Sequence, residues 1–349
     1  MHRIRKVATA VRPANKRKAT ENCDVNISEV LKHGVSQSEL MTFAACRCKK
    51  RLILGGWQPL KNRNALEFGS IGHALLQKVD TRLKVELRNG AKFADVQDVV
   101  LFNVKEYMDE KSKEFKRTAE IEQHEQFHAM FEALLVEYYR FYHSTKGILA
   151  WNVLGLERPL PLLPFGETFL QGTVDMVFEK PTGRCLLDHK FKGQINEGML
   201  MQTLETDFQL FFYAFAMLLE TGKLPYEAIY DVIRRPGLKL NQGENLKAYT
   251  KRIVSHIQKD PEHYFKRFTV QFLPSDIEVF KRDLQVLVAE YVAWLRAGMP
   301  YRLYGNPCEN KFGLCEFYSL CHHDSQALYV KGEAGGYRPM PKPTKRGAK

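Results

Sequence analysis

Two aspartates and a lysine are spaced in this chain so that they could hold a divalent cation against a phosphate. They lie in residues 172–190, GTVDMVFEKPTGRCLLDHK. Val174, Met176 and Phe178 alternate with Thr173, Asp175 and Val177; KPTG at 180–183 breaks the run, and Cys185-Leu186-Leu187 resumes it. Two short strands joined by a turn are expected. Strand alternation puts Asp188 and Lys190 on one face and His189 on the other, and the turn folds Asp175 back toward them. Carboxylate oxygens suit a hard cation, Mg²⁺ or Mn²⁺. An ammonium beside such an ion positions water and offsets charge on a phosphate, which is the outline of phosphodiester hydrolysis. An Asp and a Lys two apart on a strand also make ordinary surface ion pairs, so the triplet alone does not decide.

Flanking segments add to it. Residues 67–76, EFGSIGHALL, read as a helix entry with His73 on the inward face beside Leu75 and Leu76. A histidine there is commonly a hydrogen-bonded core residue. Residues 207–213, DFQLFFY, read as an apolar helix on which Gln209 and Tyr213 share a face one turn apart. By itself that is a buried aromatic helix tolerating one glutamine. In order along the chain, G-x-x-x-H (Gly69 to His73), G-x-x-D (Gly172 to Asp175), D-x-K (Asp188 to Lys190) and Q-x-x-x-Y (Gln209 to Tyr213) resemble the motifs of the PD-(D/E)XK nuclease superfamily, in its RecB-like branch. Glu157, in LGLERPL at 154–160, falls where that branch carries a glutamate before the hairpin. Each motif is short; their shared order carries the resemblance.

The resemblance implies an α/β fold: a restriction-endonuclease-like central mixed sheet flanked by helices. It also implies metal-dependent cleavage. Asp175 and Asp188 would bind one or two Mg²⁺ or Mn²⁺ ions, with His73 and the His189 backbone carbonyl as further ligands and Glu157 as an additional carboxylate. Lys190 would orient the attacking water or shield the scissile phosphate. Gln209 and Tyr213 would fix the hairpin and contact the strand being cut. The activity so implied is an exonuclease acting on DNA ends in recombination, repair or replication, with RNA an open alternative substrate. Some relatives are instead DNA-end-binding scaffolds in helicase–nuclease or spacer-acquisition complexes. Intact Asp175, Asp188 and Lys190 favour the enzyme. The chain has no G-x-x-x-x-G-K-[ST] phosphate loop, so a motor would come from a separate helicase or recombination partner.

Seven cysteines add a second layer. With neither a signal-peptide h-region nor an apolar run long enough to cross a bilayer, a reducing compartment without membrane association is expected. Cys308, Cys315 and Cys321 follow one another as C-x6-C-x5-C, and thiolates this close call for a soft metal centre. Cys46 is the natural fourth ligand, and Cys48 competes with it. Residues 36–46, SQSELMTFAAC, resemble the N-terminal segment of the iron–sulfur members of the same branch, AddB-type and CRISPR-associated nucleases. That resemblance implies a structural 4Fe–4S cluster, although the first gap is longer here than the C-x2-C-x5-C of those proteins. His322 and His323 follow Cys321 directly, so a zinc site of mixed ligands is the alternative, and buried free thiols are the plainest one. Cys185, mid-strand, reads as packing, and Cys23 has no evident role.

These residues need elements to hold them. Residues 101–144 are helical in pattern, with Phe127, Phe131, Leu134, Leu135, Tyr138, Tyr139 and Phe141 as an apolar stripe. A second helix is expected over 275–297, ending near Gly298, and a strand over 228–233. The domain layout expected is a basic disordered tail (1–24), a nuclease domain (25–325) with a helical insertion at about 80–145 and a cysteine-rich closure (308–321), and a basic tail (326–349). Residues 1–20 carry seven Lys and Arg and no acid, and residues 338–349 carry five and no acid; together these account for the whole net charge of +12. Basicity thus belongs to the tails rather than to the fold. Inside the fold, the clusters Cys48-Lys-Lys-Arg51 and Arg234-Arg235 could meet nucleic acid, with Tyr213 and Tyr230 stacking on bases; each is equally a solvated face. The expected location is the cytoplasm of a bacterial or phage-infected cell. The acid-free N-terminus shares the composition of a mitochondrial transit peptide but forms no convincing amphipathic helix.

Overall fold

The computed structural model describes residues 25–60, 64–88, 93–113, 118–144, 152–299, 308–310 and 313–332. The N-terminal tail, Cys23 and the C-terminal residues past 332 lie outside the described residues. The first elements are α1 (Ile27–His33), α2 (Gln37–Ala45), α3 (Arg47–Leu54), β1 (Trp57–Pro59), α4 (Asn64–Arg88), α5 (Phe93–Ser112) and α6 (Thr118–Ser144). Next come β2 (Asn152–Pro159), β3 (Leu163–Phe165), β4 (Thr168–Leu170), β5 (Thr173–Lys180), β6 (Gly183–Lys192), α7 (Glu197–Leu204), α8 (Phe208–Thr221) and β7 (Glu227–Arg234). Last are α9 (Leu246–Lys259), β8 (Phe265–Val270), α10 (Pro274–Arg296), β9 (Glu309–Asn310), β10 (Gly313–Leu314), α11 (Tyr318–His323) and β11 (Tyr329–Lys331). The chain forms two compact units, one of Leu31–Met41 and Asn62–Ala293, the other of Met1–Val30, Thr42–Lys61 and Trp294–Lys349.

The larger unit is built on a mixed five-stranded sheet of order β2-β5-β6-β7-β8, the α/β arrangement expected. β5 and β6 are the expected hairpin, turning at Pro181-Thr182. β6 and β7 run parallel, and a parallel pair needs a crossover; α7 and α8 supply it. β7 is buried along nearly its whole length, as a strand covered on both faces must be. Asp207 caps α8 by accepting from the Leu210 N–H, and Gly222 ends it in the left-handed region at φ +73°.

The helical stretch read at 101–144 is two helices, α5 and α6, packed on each other. Folding back lets two apolar stripes cover one another instead of facing water. With α4 and α9 they form the main core around Leu75, Phe131, Leu134, Tyr249 and Ile253, which also takes in Ile233 of β7 and Phe265 of β8. In the smaller unit, residues 326–332, placed with the C-terminal tail above, form a turn and then β11, which pairs with β1. Tyr329 explains the difference: it is buried, and its hydroxyl donates to the Glu316 carbonyl at 2.8 Å.

Two glycines of the G-x-x-x-H segment lie inside α4 in different surroundings. A Cβ on Gly72 would lie 2.4 Å from the Phe191 ring, whereas one on Gly69 would meet nothing within 4 Å. Gly69→Ala should therefore stabilise by up to about 1 kcal/mol through helix propensity. Gly72→Ala should destabilise by about 1–2 kcal/mol net, since the Phe191 ring it would displace is packed against Phe68, Phe131 and His73. Chemical denaturation of the two variants checks the sign of each.

Candidate active site

The hairpin register brings the acidic residues together. Met176 pairs with Leu187, so Asp175 reaches the level of Asp188 as the strands part. Its Oδ2 accepts the His189 backbone N–H at 2.7 Å. Asp188 is 2 % exposed, and its Oδ2 ion-pairs with Lys190 Nζ at 2.6 Å, as expected of side chains on one face. From α8, Gln209 closes a ring of contacts. Lys190 Nζ donates to Gln209 Oε1 at 2.9 Å, and Gln209 Nε2 donates to Asp188 Oδ1 at 3.0 Å and to Tyr213 Oη at 3.2 Å. The amide suits the position because its oxygen accepts from the ammonium while its NH₂ donates to the carboxylate. Gly172 makes room for the tyrosine, since a Cβ there would lie 3.2 Å from its ring.

Glu157 and His73 complete the group. The β2–β5 register pairs Leu156 with Met176 and Arg158 with Val174, which sets Glu157 across from Asp175. Glu157 holds φ +41°, a conformation that costs a non-glycine residue about 1–3 kcal/mol and marks functional positions. His73, from α4, has Nδ1 3.5 Å from Asp175 Oδ2. One donor atom each from His73, Glu157 and Asp175 lies within 4.8 Å of the others.

Electrostatics fit a cation. Burial, and then Asp175, push the Glu157 carboxyl up to about 7. Burial raises Asp188 to about 6 against the pull of Lys190, and it raises Asp175 despite His189. Burial, with the charges of His189 and Lys190, lowers His73 to about 4, which leaves its imidazole neutral and able to ligate near neutral pH. One buried and two half-buried carboxyls beside one ammonium form a donor set whose repulsion a hard divalent ion would relieve.

Behind this face lies a network that sequence reasoning missed. The His189 side chain turns away and its Nδ1 meets Asp231 Oδ2 at 2.9 Å. Asp231 is fully buried and also accepts from Tyr138 Oη at 2.5 Å and Arg267 Nε at 3.1 Å. Burial alone would raise Asp231, but Arg267 and His189 outweigh it and hold it below the usual carboxylate range. Burial likewise pulls His189 down, but Asp231 wins and its pKa is raised. A signal was present: one aspartate inside the apolar run Ala228-Ile-Tyr-Asp-Val-Ile233 needs buried partners.

Two expectations about nucleic-acid contacts change. Tyr213 and Tyr230 are each 5 % exposed, and Lys190 and Lys192 lie 5.8 and 5.0 Å from the Tyr230 ring centroid. Neither ring offers an open face to a base, because core packing takes them. In the Cys48–Arg51 cluster, Lys50 is 1 % exposed, Arg51 donates to the Met299 carbonyl at 3.3 Å, and Lys49 pairs with Glu316 at 2.8 Å. That cluster is built into the smaller unit instead of forming a basic face.

The same unit gathers the cysteines. Cys46, Cys48, Cys315 and Cys321 pack with Leu52, Trp57, Phe317, Leu320 and Tyr329. Cys48 Sγ lies 2.8 Å from Cys321 Sγ, and Cys308 Sγ lies 3.3 Å from His322 Nε2. Cys46 Sγ accepts from the Lys49 N–H at the start of α3. The hydrogen bond with Cys321, then burial, then the charges of Cys321, Cys46 and Cys308 hold the Cys48 thiol far above its ordinary range. Burial, then Cys321, Cys46 and Cys315, raise Cys308. This soft donor set suits a thiophilic metal centre. Cys185 is buried in β6 as packing, its Sγ 3.5 Å from the Gly183 carbonyl.

No helix among the described residues is long and apolar enough to cross a membrane. Comparison with curated proteins yields no match. A family model described as the PD-(D/E)XK nuclease superfamily matches residues 34–322, a span that contains every motif gathered on the hairpin and α8. Over most of its length, therefore, the chain belongs to the PD-(D/E)XK nuclease superfamily, and that membership implies a metal-dependent nuclease.

Proposed function

We propose that the protein is a metal-dependent deoxyribonuclease, an exonuclease acting on DNA ends in recombination, repair or replication. The ring of contacts joining Asp188, Lys190, Gln209 and Tyr213, next to the raised carboxyls of Glu157 and Asp175, supports this reading most directly. Asp175, Asp188, His73 and the His189 carbonyl would hold Mg²⁺ or Mn²⁺, with Glu157 as a further carboxylate. When bound, such an ion acidifies a water and neutralises charge on the scissile phosphate. Lys190, fixed by Asp188 and Gln209, orients the attacking water and offsets the phosphate charge. Gln209 holds the lysine and the aspartate at one spacing, and Tyr213 holds Gln209. The His189 N–H fixes one oxygen of Asp175 and leaves the other to ligate. In the smaller unit, Cys46, Cys308, Cys315 and Cys321, with Cys48 beside them, would carry a 4Fe–4S cluster that is structural.

Purification without oxygen should give the broad visible absorption of thiolate-ligated iron, and Mn²⁺ should support digestion of end-labelled DNA. Asp188→Ala should lower that activity by at least about 10²-fold and Gln209→Ala by about tenfold, with Lys190→Ala falling by about 10²–10³. Cleavage without the band would keep the nuclease and replace the cluster by zinc or free thiols. A band with no cleavage of any DNA or RNA would leave a DNA-binding scaffold.

The raised carboxyls set a pH dependence. Folded, metal-free protein holds protons that the unfolded chain releases. Stability from these groups is present at acid pH and is lost as pH rises through about 6 for Asp188 and about 7 for Glu157. In EDTA, wild type should therefore lose melting temperature relative to Glu157→Gln between about pH 5 and 8; His73, common to both, cancels. Mn²⁺ should raise the wild-type melting temperature more at about pH 8 than at about pH 6. Calorimetry checks both trends, and an equal response at the two pH values would place the ion elsewhere.

A further inference from the structure

Arg234 and Arg235, at the end of β7, have different surroundings. Arg234 meets His263 Nδ1 at 3.3 Å on the exposed side. Arg235 is half-buried, and its backbone N–H donates to the Lys192 carbonyl at 2.8 Å. Its guanidinium carbon lies 5.0 Å from the ring centroids of both Phe68 and Phe127. Burial pulls its pKa below the ordinary value, and no acidic side chain among the described residues offsets that. A partly desolvated cation without an anion is costly unless something else supplies the charge.

Arg235 lines a pocket of about 520 Å³ walled by Gln126 and Met130 of α6, Gly193 after β6, and Lys239 and Leu240 of the loop after β7. Two cations and no acid face this space. It lies past the carboxyl ends of the parallel β6–β7 pair, where Lys192 is level with Arg234, and open α/β sheets bind ligands at such ends. Aromatic rings join it to the candidate active site. Phe68 and His73 stand on one helix, and both pack on Phe191, the residue after Lys190, at 6.0 and 5.7 Å.

We infer that this pocket is a phosphate-binding subsite for the nucleic-acid strand, with Arg235 and Lys239 as its cations. The inference rests on the nuclease reading above. Phe68 and Phe127 meet edge to face, 5.2 Å apart, and hold the guanidinium carbon 5.0 Å from each centroid on one side of the pair; a guanidinium held there can make the bidentate contact that phosphate accepts. The volume suits a nucleotide instead of a bare ion. The phosphate is either a terminal one or an internal phosphodiester.

Fluorescence anisotropy of the full chain in EDTA separates these without turnover. The probes are single-stranded oligonucleotides of one sequence ending in 5′-phosphate, 5′-hydroxyl or 3′-phosphate. Arg235→Met, which keeps the packed stem, should weaken binding about tenfold and flatten the log–log salt slope by about 0.7. Lys239→Gln, at an exposed position, should flatten the slope similarly. A loss confined to one phosphorylated end identifies a terminal phosphate; an equal loss on all probes identifies an internal one. Wild-type affinity and slope in both variants, with circular dichroism unchanged, would overturn the subsite. Should Arg235→Met fail to fold, Lys239→Gln decides. The nuclease reading falls separately, if Asp188→Ala still digests DNA.

Discussion

Repulsion among Glu157, Asp175 and Asp188 is the constraint around which the larger unit is arranged. Each is pushed toward its protonated form by burial, and a fold that needed only stability would not gather them. What holds them is backbone structure: the hairpin register, the His189 N–H on Asp175, and the positive φ of Glu157. The cost is local and is offset by the aromatic and aliphatic core under α4, α5, α6 and α9. A divalent ion reverses the sign of the problem, since the charges that repel one another become its ligands.

The two faces of β6 divide the labour. One carries Asp188 and Lys190 to Gln209; the other sends His189 into a buried set of Asp231, Tyr138 and Arg267. Asp231 receives donors from three elements, β6, α6 and β8, so the strand that bears the reactive groups is anchored from behind. A buried carboxylate that receives three donors in this way favours one arrangement of the elements that supply them. Because His189 also donates its N–H to Asp175, that anchoring reaches the acidic cluster through a single residue.

The smaller unit follows a different logic. One of its apolar clusters is small, made of Leu52, Trp57, Phe317, Leu320 and Tyr329 around the thiols. Residues 46–57 and 315–329, far apart in the chain, meet in it. Small cores of this type are commonly completed by a metal or a cross-link, and the convergence of Cys46, Cys48, Cys308, Cys315, Cys321 and His322 is consistent with that role.

Local periodicity made much of this legible. Strand alternation alone put Asp188 with Lys190 and turned His189 away; helical spacing alone put Gln209 with Tyr213; and α10, read over 275–297, runs over Pro274–Arg296. These relations depend on neighbours in the chain, whose geometry the backbone dictates. What periodicity does not encode is which distant segment covers a given face. The break between α5 and α6, the burial of Lys50 and Tyr230, and the partnership of Asp231 with Tyr138, 93 residues away, and with Arg267, 36 residues away, were settled by packing. The same holds for the two arginines after β7, which look identical in the sequence. One meets His263 on the exposed side, and the other packs against a pair of phenylalanines, because only the assembled core decides where an aromatic wall stands.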